Sequence, residues 1–431
     1  MPLLPPRVRL ISTGSEITQG MYADSNAQRL SVTLFERGFR VVGHAAAPDD
    51  FAAILSAIRD AAAHSDLIII TGGLGPTEDD LNRDVIAQWS NQPLHKDDRA
   101  EEMIRERFRR RGREMPIDNV RQAFIPRHAT ILHNHWGTAP GFLISADEQR
   151  PALLALPGPP SEWQPMLAAA LDGPLGHAFP DRPKRSIYSL HLAMIPESTV
   201  NGCIRDLFAG QPGCELTILA SRGHIRLRIA ATSATDAENE QNTRRLRDAI
   251  AQRIPPEFIF AEGPGDQTLP ASLIALFRQQ QKTIATAESC TGGWIAKDLT
   301  DVPGSSQVFK AGWVTYSNDA KIRDLTVPPT ILDRHGAVSE PVVRAMAEGA
   351  RAKSGADFAL SVSGVAGPDG GSEEKPVGTV WFAVASPQGT TAIKYLFNGD
   401  RETIRSFATI QALELLRRAL LKIPPESTLP D

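Results

Sequence analysis

The sequence predicts an α/β protein with two αβα-layered domains, each with a mostly parallel sheet, joined by a small α+β connector. Three observations lead to this fold class. The chain has 431 residues, more than a single hydrophobic core usually holds. Short apolar runs alternate with amphipathic helical stretches at both ends of the chain, as in sheets covered by helices. In the middle this alternation stops. We therefore predict domains over residues 1–172, 184–255 and 266–425.

The first domain alternates between strands and helices. Apolar runs predict strands at residues 8–13, 39–43 and 66–71, and amphipathic stretches predict helices at 25–37 and 49–63. The third strand contains Leu-Ile-Ile-Ile, which is typical of a strand buried on both faces. Prolines cluster at residues 174–183, where we expect a linker.

The connector and the last domain follow. Strand-like segments at residues 187–193, 215–220 and 224–230 predict a small module without a recognisable chemical motif, and residues 255–266 predict a second linker. In the last domain we expect strands at 283–287, 312–316, 358–363, 378–385 and 391–397, and helices at 292–299, 339–353 and 400–422. The closing helix carries Ile404, Phe407, Ala408 and Leu415 on one apolar face.

Composition argues against several classes of function. The net charge of −4 leaves no basic surplus, so we expect no direct nucleic-acid binding. Six arginines between residues 105 and 113 fit the solvated face of a helix packed through Ile104 and Phe108.

The three cysteines lack metal-binding spacing, and prolines among the first nine residues interrupt any signal-peptide core. No apolar run approaches membrane-spanning length. We therefore expect a cytoplasmic protein and, on general frequency, a homodimer.

Ser289 lies in the segment Ala287-Glu-Ser-Cys-Thr-Gly-Gly293, where a predicted strand ends and a helix begins. A serine in this position is commonly a helix N-cap. The two glycines also indicate a ligand site, because they let the backbone approach a ligand and leave N–H groups free for a phosphate or an oxyanion. The local sequence leaves both interpretations open.

A serine nucleophile needs a base, and Lys321 is the candidate that the predicted sheet offers. It follows the strand that ends at Tyr316 and the turn Ser317-Asn318, and ligands of open α/β sheets bind at the carboxyl ends of strands. Burial can lower the pKa of a lysine until it serves as a base, and Tyr316 could relay a proton or orient it. No histidine is an obvious base, because His335 lies in a His-Gly turn of the kind that is usually structural. The alternative for Lys321 is a solvated lysine on a helix.

A second glycine-rich loop, Ser363-Gly-Val-Ala-Gly-Pro-Asp-Gly-Gly371, leaves a later strand as either a flexible turn or a ligand-binding loop. The last domain closely resembles the nicotinamide-nucleotide amidase family, which forms the carboxy-terminal domain of CinA-type competence/damage-inducible proteins. The motifs that carry the resemblance lie at residues 286–293, 316–321, 335–340, 361–368 and 370–379. The matching motifs run in order, without obvious gaps, through the whole last domain.

The resemblance implies hydrolysis of nicotinamide mononucleotide to nicotinic acid mononucleotide and ammonia, with no cofactor. It implies Ser289 as the nucleophile, Lys321 as its base and Tyr316 as a supporting hydroxyl. Backbone amides around Thr291 and Gly292 would hold the phosphate or the oxyanion. The substrate-binding residues implied are Thr291, Gly292, Ser317, Asn318, Ser363, Gly364, Gly367 and Arg405.

A further glycine-rich segment, Thr71-Gly-Gly-Leu-Gly-Pro-Thr77, follows the buried strand of the first domain. Thr77 and Asp80 have the spacing of a capping box, which predicts a helix from about Glu78. The functional interpretation of this segment is a phosphate-binding loop. The first strand-to-helix connection lies next to it and offers further polar residues, which either bind the same ligand or form turns and N-caps. The binding residues expected here are Gly14, Asn26, Thr71, Gly72, Gly73, Gly75 and Thr77.

Acidic residues crowd this loop and would repel a phosphate unless a divalent cation bridges the two. We expect Glu16, Asp24, Asp79 and Asp80 as the metal ligands. The pattern resembles the molybdopterin-binding-like domain at the amino terminus of CinA-type proteins, which implies a metal-dependent ADP-ribose pyrophosphatase that releases AMP and ribose 5-phosphate. The segments at 134–137 and 120–123 depart from the family's usual residues, which bears on the substrate more than on the fold.

The expected partners are therefore small nucleotides, namely nicotinamide mononucleotide and ADP-ribose, in the salvage of pyridine nucleotides. Two other functions stay open at the level of sequence. The amino-terminal domain could bind a nucleotide or pterin without catalysis and regulate the chain. Alternatively, the whole protein could have a non-enzymatic role in competence.

Overall fold

The computed structural model describes residues 4–209, 212–426 and 429. The prediction about a signal peptide concerned residues 1–9, and residues 1–3 lie outside the described range. The chain divides into two compact units, one of Met1–Ser186 with Thr232–Glu240 and one of Ile187–Ala231 with Gln241–Asp431. Helices and sheets are mixed in both units, so the predicted α/β class is confirmed.

The amino-terminal part of the chain forms a layered α/β domain. Its elements are β1 (Arg7–Thr13), α1 (Ser15–Thr18), α2 (Ser25–Glu36), β2 (Arg40–Ala47), α3 (Phe51–His64), β3 (Leu67–Thr71), α4 (Asn82–Ser90), β4 (Leu94–Lys96), α5 (Asp98–Arg110), β5 (Phe124–Pro126), β6 (Thr130–Leu132), β7 (Gly141–Ile144), β8 (Ala152–Leu156), α6 (Pro160–Asp172) and α7 (Pro174–Ala178).

A six-stranded sheet of order β2-β1-β3-β8-β7-β6 forms the middle layer. The first four strands are parallel, and β7 and β6 add an antiparallel edge. Every residue of β3 is buried, as predicted for a strand with helices on both sides, and every residue of β8 is buried as well. Helices α3, α4 and α5 pack on one face through one apolar cluster, and α2, α6 and α7 pack on the other.

Two expectations in this region are wrong, and one is confirmed. The helix expected from about Glu78 begins at Asn82, because Asp80 Oδ2 accepts from the amide of Thr77 at 2.9 Å and closes a turn instead of capping a helix. The predicted linker at residues 174–183 begins with helix α7. The arginine-rich helix is confirmed as α5, with Ile104 buried.

The connector is built around a four-stranded sheet of order β10-β11-β9-β12. Its elements are β9 (Lys184–Ala193), α8 (Glu197–Ile204), β10 (Cys214–Ser221), β11 (His224–Ser233), α9 (Asp236–Ala251) and β12 (Ile259–Gly263). Strand β12 occupies part of the predicted second linker, where it pairs antiparallel with β9, so that linker prediction is wrong. The proline residues concealed the strand because they suggested a turn.

The carboxy-terminal part of the chain forms the second layered α/β domain. Its elements are α10 (Leu269–Gln279), β13 (Ile284–Glu288), α11 (Trp294–Thr300), β14 (Phe309–Val314), α12 (Asn318–Leu325), α13 (Pro329–His335), α14 (Glu340–Ser354), β15 (Phe358–Gly364), β16 (Thr379–Ser386), β17 (Gly389–Leu396) and α15 (Arg401–Leu421).

The sheet of this domain has the order β14-β13-β15-β16-β17. Strands β14, β13 and β15 are parallel, whereas β16 and β17 are antiparallel to their neighbours, so the sheet is mixed where a mostly parallel one was expected. A two-residue turn joins β16 to β17, and such a hairpin forces the antiparallel direction. Helices α10, α11 and α15 cover one face and α12, α13 and α14 the other. The central strand β13 therefore delivers its carboxyl end between two parallel neighbours.

The helices also bear on the expected absence of a membrane span. Within the described part of the chain, none is both long enough and apolar enough to cross a bilayer.

Candidate active site

Ser289 directly follows β13 at the carboxyl edge of the second sheet. Its amide donates to the carbonyl of Val362 on β15 at 3.0 Å, and the preceding residue accepts from the amide of Thr315, just beyond β14, at 2.8 Å. The nucleophile candidate is thus held between its two parallel neighbours, where the strand order changes direction and ligands of α/β sheets bind. Its side chain is 9 % exposed.

Lys321 reaches Ser289 from the first turn of α12. Its Nζ lies 3.1 Å from Ser289 Oγ and 2.7 Å from the carbonyl oxygen of Thr315, and the residue is 1 % exposed. No ion pair to Lys321 occurs within the described residues. Burial without a carboxylate partner lowers the pKa of Lys321 to about 8, because the charged form loses its hydration. The two groups that the sequence placed at one sheet edge therefore meet in a serine–lysine pair.

The glycines after Ser289 serve the loop's own conformation. Gly292 and Gly293 have φ of 63° and 93°, a left-handed backbone that favours glycine. The amide of Gly292 donates to the carbonyl of Ser289 at 3.1 Å, and that of Gly293 donates to Glu288 at 3.0 Å. The expectation that these N–H groups are free for a phosphate or an oxyanion is therefore wrong for both glycines.

The amides of Cys290 and Thr291 are the remaining backbone donors of this loop. Both bond to the sulfur of Cys290, and neither donates to an oxygen acceptor among the residues that the structure describes. They lie next to the Ser289 hydroxyl in the chain, as oxyanion-stabilising amides do in serine hydrolases. The hydroxyl of Thr291 is used internally, since it donates to Glu288 at 2.7 Å.

Arg405, expected to bind substrate, contacts the same loop from helix α15. Its Nε donates to the carbonyl of Cys290 at 3.0 Å and its Nη2 to that of Thr291 at 2.8 Å. The guanidinium lies over the ring of Trp294, 5.4 Å from its centre. These contacts commit two donors of the guanidinium to the protein itself.

Tyr316 does not contact the Ser289–Lys321 pair through its hydroxyl. The side chain is 63 % exposed, and its hydroxyl accepts from Arg401 at 3.0 Å. Arg401 also donates to the carbonyl of Gly367 at 2.7 Å, so it joins the tip of β14 to the second glycine-rich loop. The expectation that Tyr316 orients or relays a proton to Lys321 is not met in this arrangement. Sequence reasoning overlooked Arg401, which no motif marks.

The other predicted residues of this site have structural contacts of their own. Ser363 is buried and donates to the carbonyl of Ala337 at 2.8 Å. Ser317 caps α12, because its hydroxyl accepts from the amide of Ala320 at 3.1 Å, and Asn318 is the exposed first residue of that helix. Gly364 lies against Val380, which a side chain at this position would meet at 2.7 Å.

A second candidate site is a cavity of about 530 Å³ at the carboxyl edge of the amino-terminal sheet. Most of the residues predicted there line it, namely Gly14, Glu16, Asn26, Thr71, Gly72, Gly73, Gly75, Asp79 and Asp80. The hydroxyl of Thr71 is buried and has no hydrogen-bond partner among the described residues. The side chain of Asn26, in contrast, is already hydrogen-bonded. It donates to the carbonyl of Gly158 at 2.8 Å and accepts from the indole of Trp163 at 2.9 Å.

The glycine-rich loop of this cavity presents free amides. Those of Gly73, Leu74 and Gly75 donate to no acceptor within the described chain, whereas the carbonyls of the last two accept from the buried guanidinium of Arg83. Consecutive free amides form an anion-binding concavity. Arg83, which sequence reasoning did not select, thus supports the loop from behind. Burial lowers the pKa of Arg83 to about 10.

The predicted metal ligands do not assemble into a metal centre. Asp24 lies outside the cavity lining and caps α2, accepting from the amide of Ala27 at 2.9 Å. Asp80 accepts from the amide and hydroxyl of Thr77, which is also absent from the lining. Across the described residues, no three histidine, cysteine, aspartate or glutamate side chains are arranged to hold a metal ion. The residues present therefore do not fit the metal site expected from sequence.

Comparison with known proteins accounts for nearly the whole chain. Residues 266–420 match the family model described as "CinA C-terminal domain", residues 189–261 the model "Damage-inducible protein CinA KH domain", and residues 9–177 the model "Probable molybdopterin binding domain". A protein of Symbiobacterium thermophilum named as competence-damage inducible is 42% identical over 422 residues, 96% of this chain and 98% of its own length. A CinA-like protein of Akkermansia muciniphila is 40% identical over 419 residues, 97% and 98% of the two chains.

Among solved structures, the competence/damage inducible protein of Agrobacterium tumefaciens is 43% identical with a TM-score of 0.34 and matches 36% of this chain and 93% of its own. The molybdopterin biosynthesis enzyme MoaB of Thermus thermophilus matches 41% of this chain and 96% of its own at 19% identity and a TM-score of 0.29. With relatives at about 40% identity along almost its entire length, the chain belongs to the CinA family of competence/damage-inducible proteins.

Proposed function

We propose that the carboxy-terminal domain hydrolyses the carboxamide of nicotinamide mononucleotide to give nicotinic acid mononucleotide and ammonia. The observation that carries the proposal is the contact between buried Lys321 and Ser289, whose Nζ and Oγ are 3.1 Å apart. A neutral lysine can take the serine proton, as bases do in other nucleophile–base pairs. The choice of substrate rests on the family resemblance of the motifs around these two residues.

We expect the reaction to proceed in two steps. Ser289 Oγ attacks the carboxamide carbon, Lys321 takes the hydroxyl proton and returns it to the departing nitrogen, and ammonia leaves an acyl-enzyme. Water then attacks the ester, with Lys321 again the base, and releases the acid and Ser289. The amides of Cys290 and Thr291, which donate to no oxygen acceptor within the described residues, are suited to stabilise the oxyanion formed in each step.

The activity is expected to rise with pH because the base must be neutral. The pKa of Lys321 is lowered to about 8, so kcat/KM should increase tenfold per pH unit below pH 8 and level off above it. Ammonia release from nicotinamide mononucleotide, measured from pH 5.5 to 9.5 with the folded state checked by circular dichroism, tests this. An activity that falls across the same range would assign the required form to protonated Lys321 and contradict the proposal.

For the amino-terminal domain we propose binding of a phosphate-containing nucleotide, with ADP-ribose as the first candidate. The three free amides of the glycine-rich loop and the unpartnered hydroxyl of Thr71 support this. Release of AMP by the full chain, assayed with Mg²⁺, Mn²⁺ or Co²⁺ and in EDTA, separates pyrophosphatase activity from binding alone. Because the predicted carboxylates do not form a metal centre, we assign no catalytic step to a metal.

Thr71→Val keeps the shape of the side chain and removes its hydroxyl. We expect the Kd for ADP-ribose to rise about fivefold to tenfold, as the loss of one hydrogen bond predicts. Titration calorimetry on the full chain, with and without Mg²⁺, measures the change. The matched control is Thr33→Val, whose hydroxyl bonds only within α2. Equal Kd values for wild type and Thr71→Val would place the ligand elsewhere.

A further inference from the structure

Glu288 is a buried carboxylate at the start of the loop that carries Ser289. It is 1 % exposed, and within the described residues no basic side chain pairs with it. Four donors surround its oxygens instead: the hydroxyl of Thr291 at 2.7 Å and the amides of Gly293, Ile295 and Ala296 at 3.0, 3.1 and 2.8 Å. These amides belong to the first turn of α11 and the residue before it. The carboxylate therefore occupies the end of the helix where an anionic ligand could otherwise bind.

Arg405 holds the opposite side of the loop. It donates to the carbonyls of Cys290 and Thr291, while Glu288 receives the amides that follow. Two carbonyls of the loop thus point to a cation, and the amides that follow them point to an anion. Gly292 lies between the two, where an added Cβ would come within 3.3 Å of the Arg405 guanidinium.

Glu288 also connects the loop to Lys321. The backbone carbonyl of Glu288 accepts from the amide of Thr315 at 2.8 Å, and the carbonyl of Thr315 accepts from Lys321 Nζ at 2.7 Å. Movement of Glu288 would therefore displace Ser289 directly and Lys321 through Thr315. Reactions of this kind depend steeply on such distances, and a shift of about 1 Å can cost on the order of 100-fold in rate.

We propose that Glu288 and Arg405 are positioning residues that hold the nucleophile loop from both sides and so set the distance between Ser289 and Lys321. The inference rests on the proposed amidase function. The sequence predicted that Arg405 binds the substrate. A guanidinium that instead binds the loop affects the rate of catalysis and not the affinity for substrate.

Glu288→Gln is the first test, since glutamine has the same shape but only one acceptor oxygen. One or more of the four donors then lacks an acceptor, and we expect kcat to fall about 10-fold to 100-fold while KM stays within about twofold. The apparent pKa of the rate profile should stay near 8, because Lys321 remains buried. An unchanged kcat, or a loss that appears only in KM, would overturn the proposal.

Arg405 gives an independent test that does not depend on the Glu288 variant folding. If the guanidinium bound the substrate phosphate, Arg405→Gln would raise KM and Arg405→Lys would restore it. If it positions the loop, kcat falls in both variants, because a lysine cannot bridge two carbonyls as the planar guanidinium does. Glu402→Gln is the matched control on the same helix, since Glu402 pairs with Arg222 at the surface.

A serine-directed phosphonate separates failure of this inference from failure of the amidase proposal. Its rate of reaction with Ser289, per folded molecule, reports the geometry of the nucleophile whatever the natural substrate is. We expect Glu288→Gln to react at least about 10-fold more slowly than wild type. A purely structural role would lower the melting temperature or the fraction of reactive molecules and leave the rate for each folded molecule at the wild-type value.

Discussion

Ser289→Ala is expected to lower kcat/KM for nicotinamide mononucleotide by about 10⁴-fold or more. Removal of the nucleophile from a serine hydrolase has effects of this size, since only binding and oxyanion stabilisation remain. The substitution deletes one hydroxyl from a side chain that is 9 % exposed, so the fold should be retained. Coupled detection of ammonia, together with chromatography of nicotinic acid mononucleotide, measures the loss.

The control for this variant is Ser386→Ala in the β16–β17 hairpin, where the serine hydroxyl donates to the carbonyl of Gly389 and accepts from the amide of Gln388, both within the hairpin. It should keep the wild-type rate. If Ser289→Ala turned over the mononucleotide at more than about a tenth of that rate, the nucleophile would have to be another group, such as a water molecule activated by Lys321.

Lys321→Met is expected to abolish the amidase and at the same time stabilise the folded protein at neutral pH. The pKa of Lys321 falls from 10.5 to about 8 on folding. Below pH 8 the folded state carries a buried charge at a cost of about 3 kcal/mol, from the shift of the pKa. Methionine removes this cost but also two hydrogen bonds worth about 1 kcal/mol each. The free energy of unfolding at pH 7 should therefore rise by about 1 kcal/mol.

The pH dependence of this gain in stability tests whether the buried charge of Lys321 is its cause. Between pH 8 and 10.5 the unfolded chain binds more protons at Lys321 than the folded protein does, so the stability of the wild type rises with pH in that window. Relative to wild type, Lys321→Met should lose about 2 kcal/mol of the free energy of unfolding between pH 7 and pH 10 and become the less stable protein, because the folded lysine is then already neutral and little of the cost remains. Urea denaturation of both proteins at pH 7 and pH 10 measures the difference.

Lys310→Met is the comparison for this experiment, since Lys310 is exposed on β14. It should leave both the amidase and the stability near their wild-type values. A Lys321→Met protein that is less stable than wild type at pH 7 would mean that the lysine is charged and paired in the fold, and it could not then serve as the base.

Much of the fold could be predicted because periodicity and composition are local properties. The buried strand β3 and the alternating strands and helices at both ends of the chain follow from apolar runs that only a covered sheet can bury. Strand β12 and helix α7 were missed, because prolines at their ends resemble linker sequence and only pairing or packing with distant residues makes them regular. The start of α4 was misplaced because Asp80 bonds back to Thr77.

For the site, their place at the carboxyl edge of the predicted sheet made Ser289 and Lys321 candidates, and the resemblance to the amidase family implied their roles. Only the tertiary structure brought them within 3.1 Å, because the order β14-β13-β15 makes their strands neighbours. It also decided what surrounds them. The loop's glycine amides serve Ser289 and Glu288, Arg405 binds the loop, and Tyr316 turns to Arg401. Such assignments depend on distance and direction between residues far apart in the chain, which spacing along the sequence does not contain.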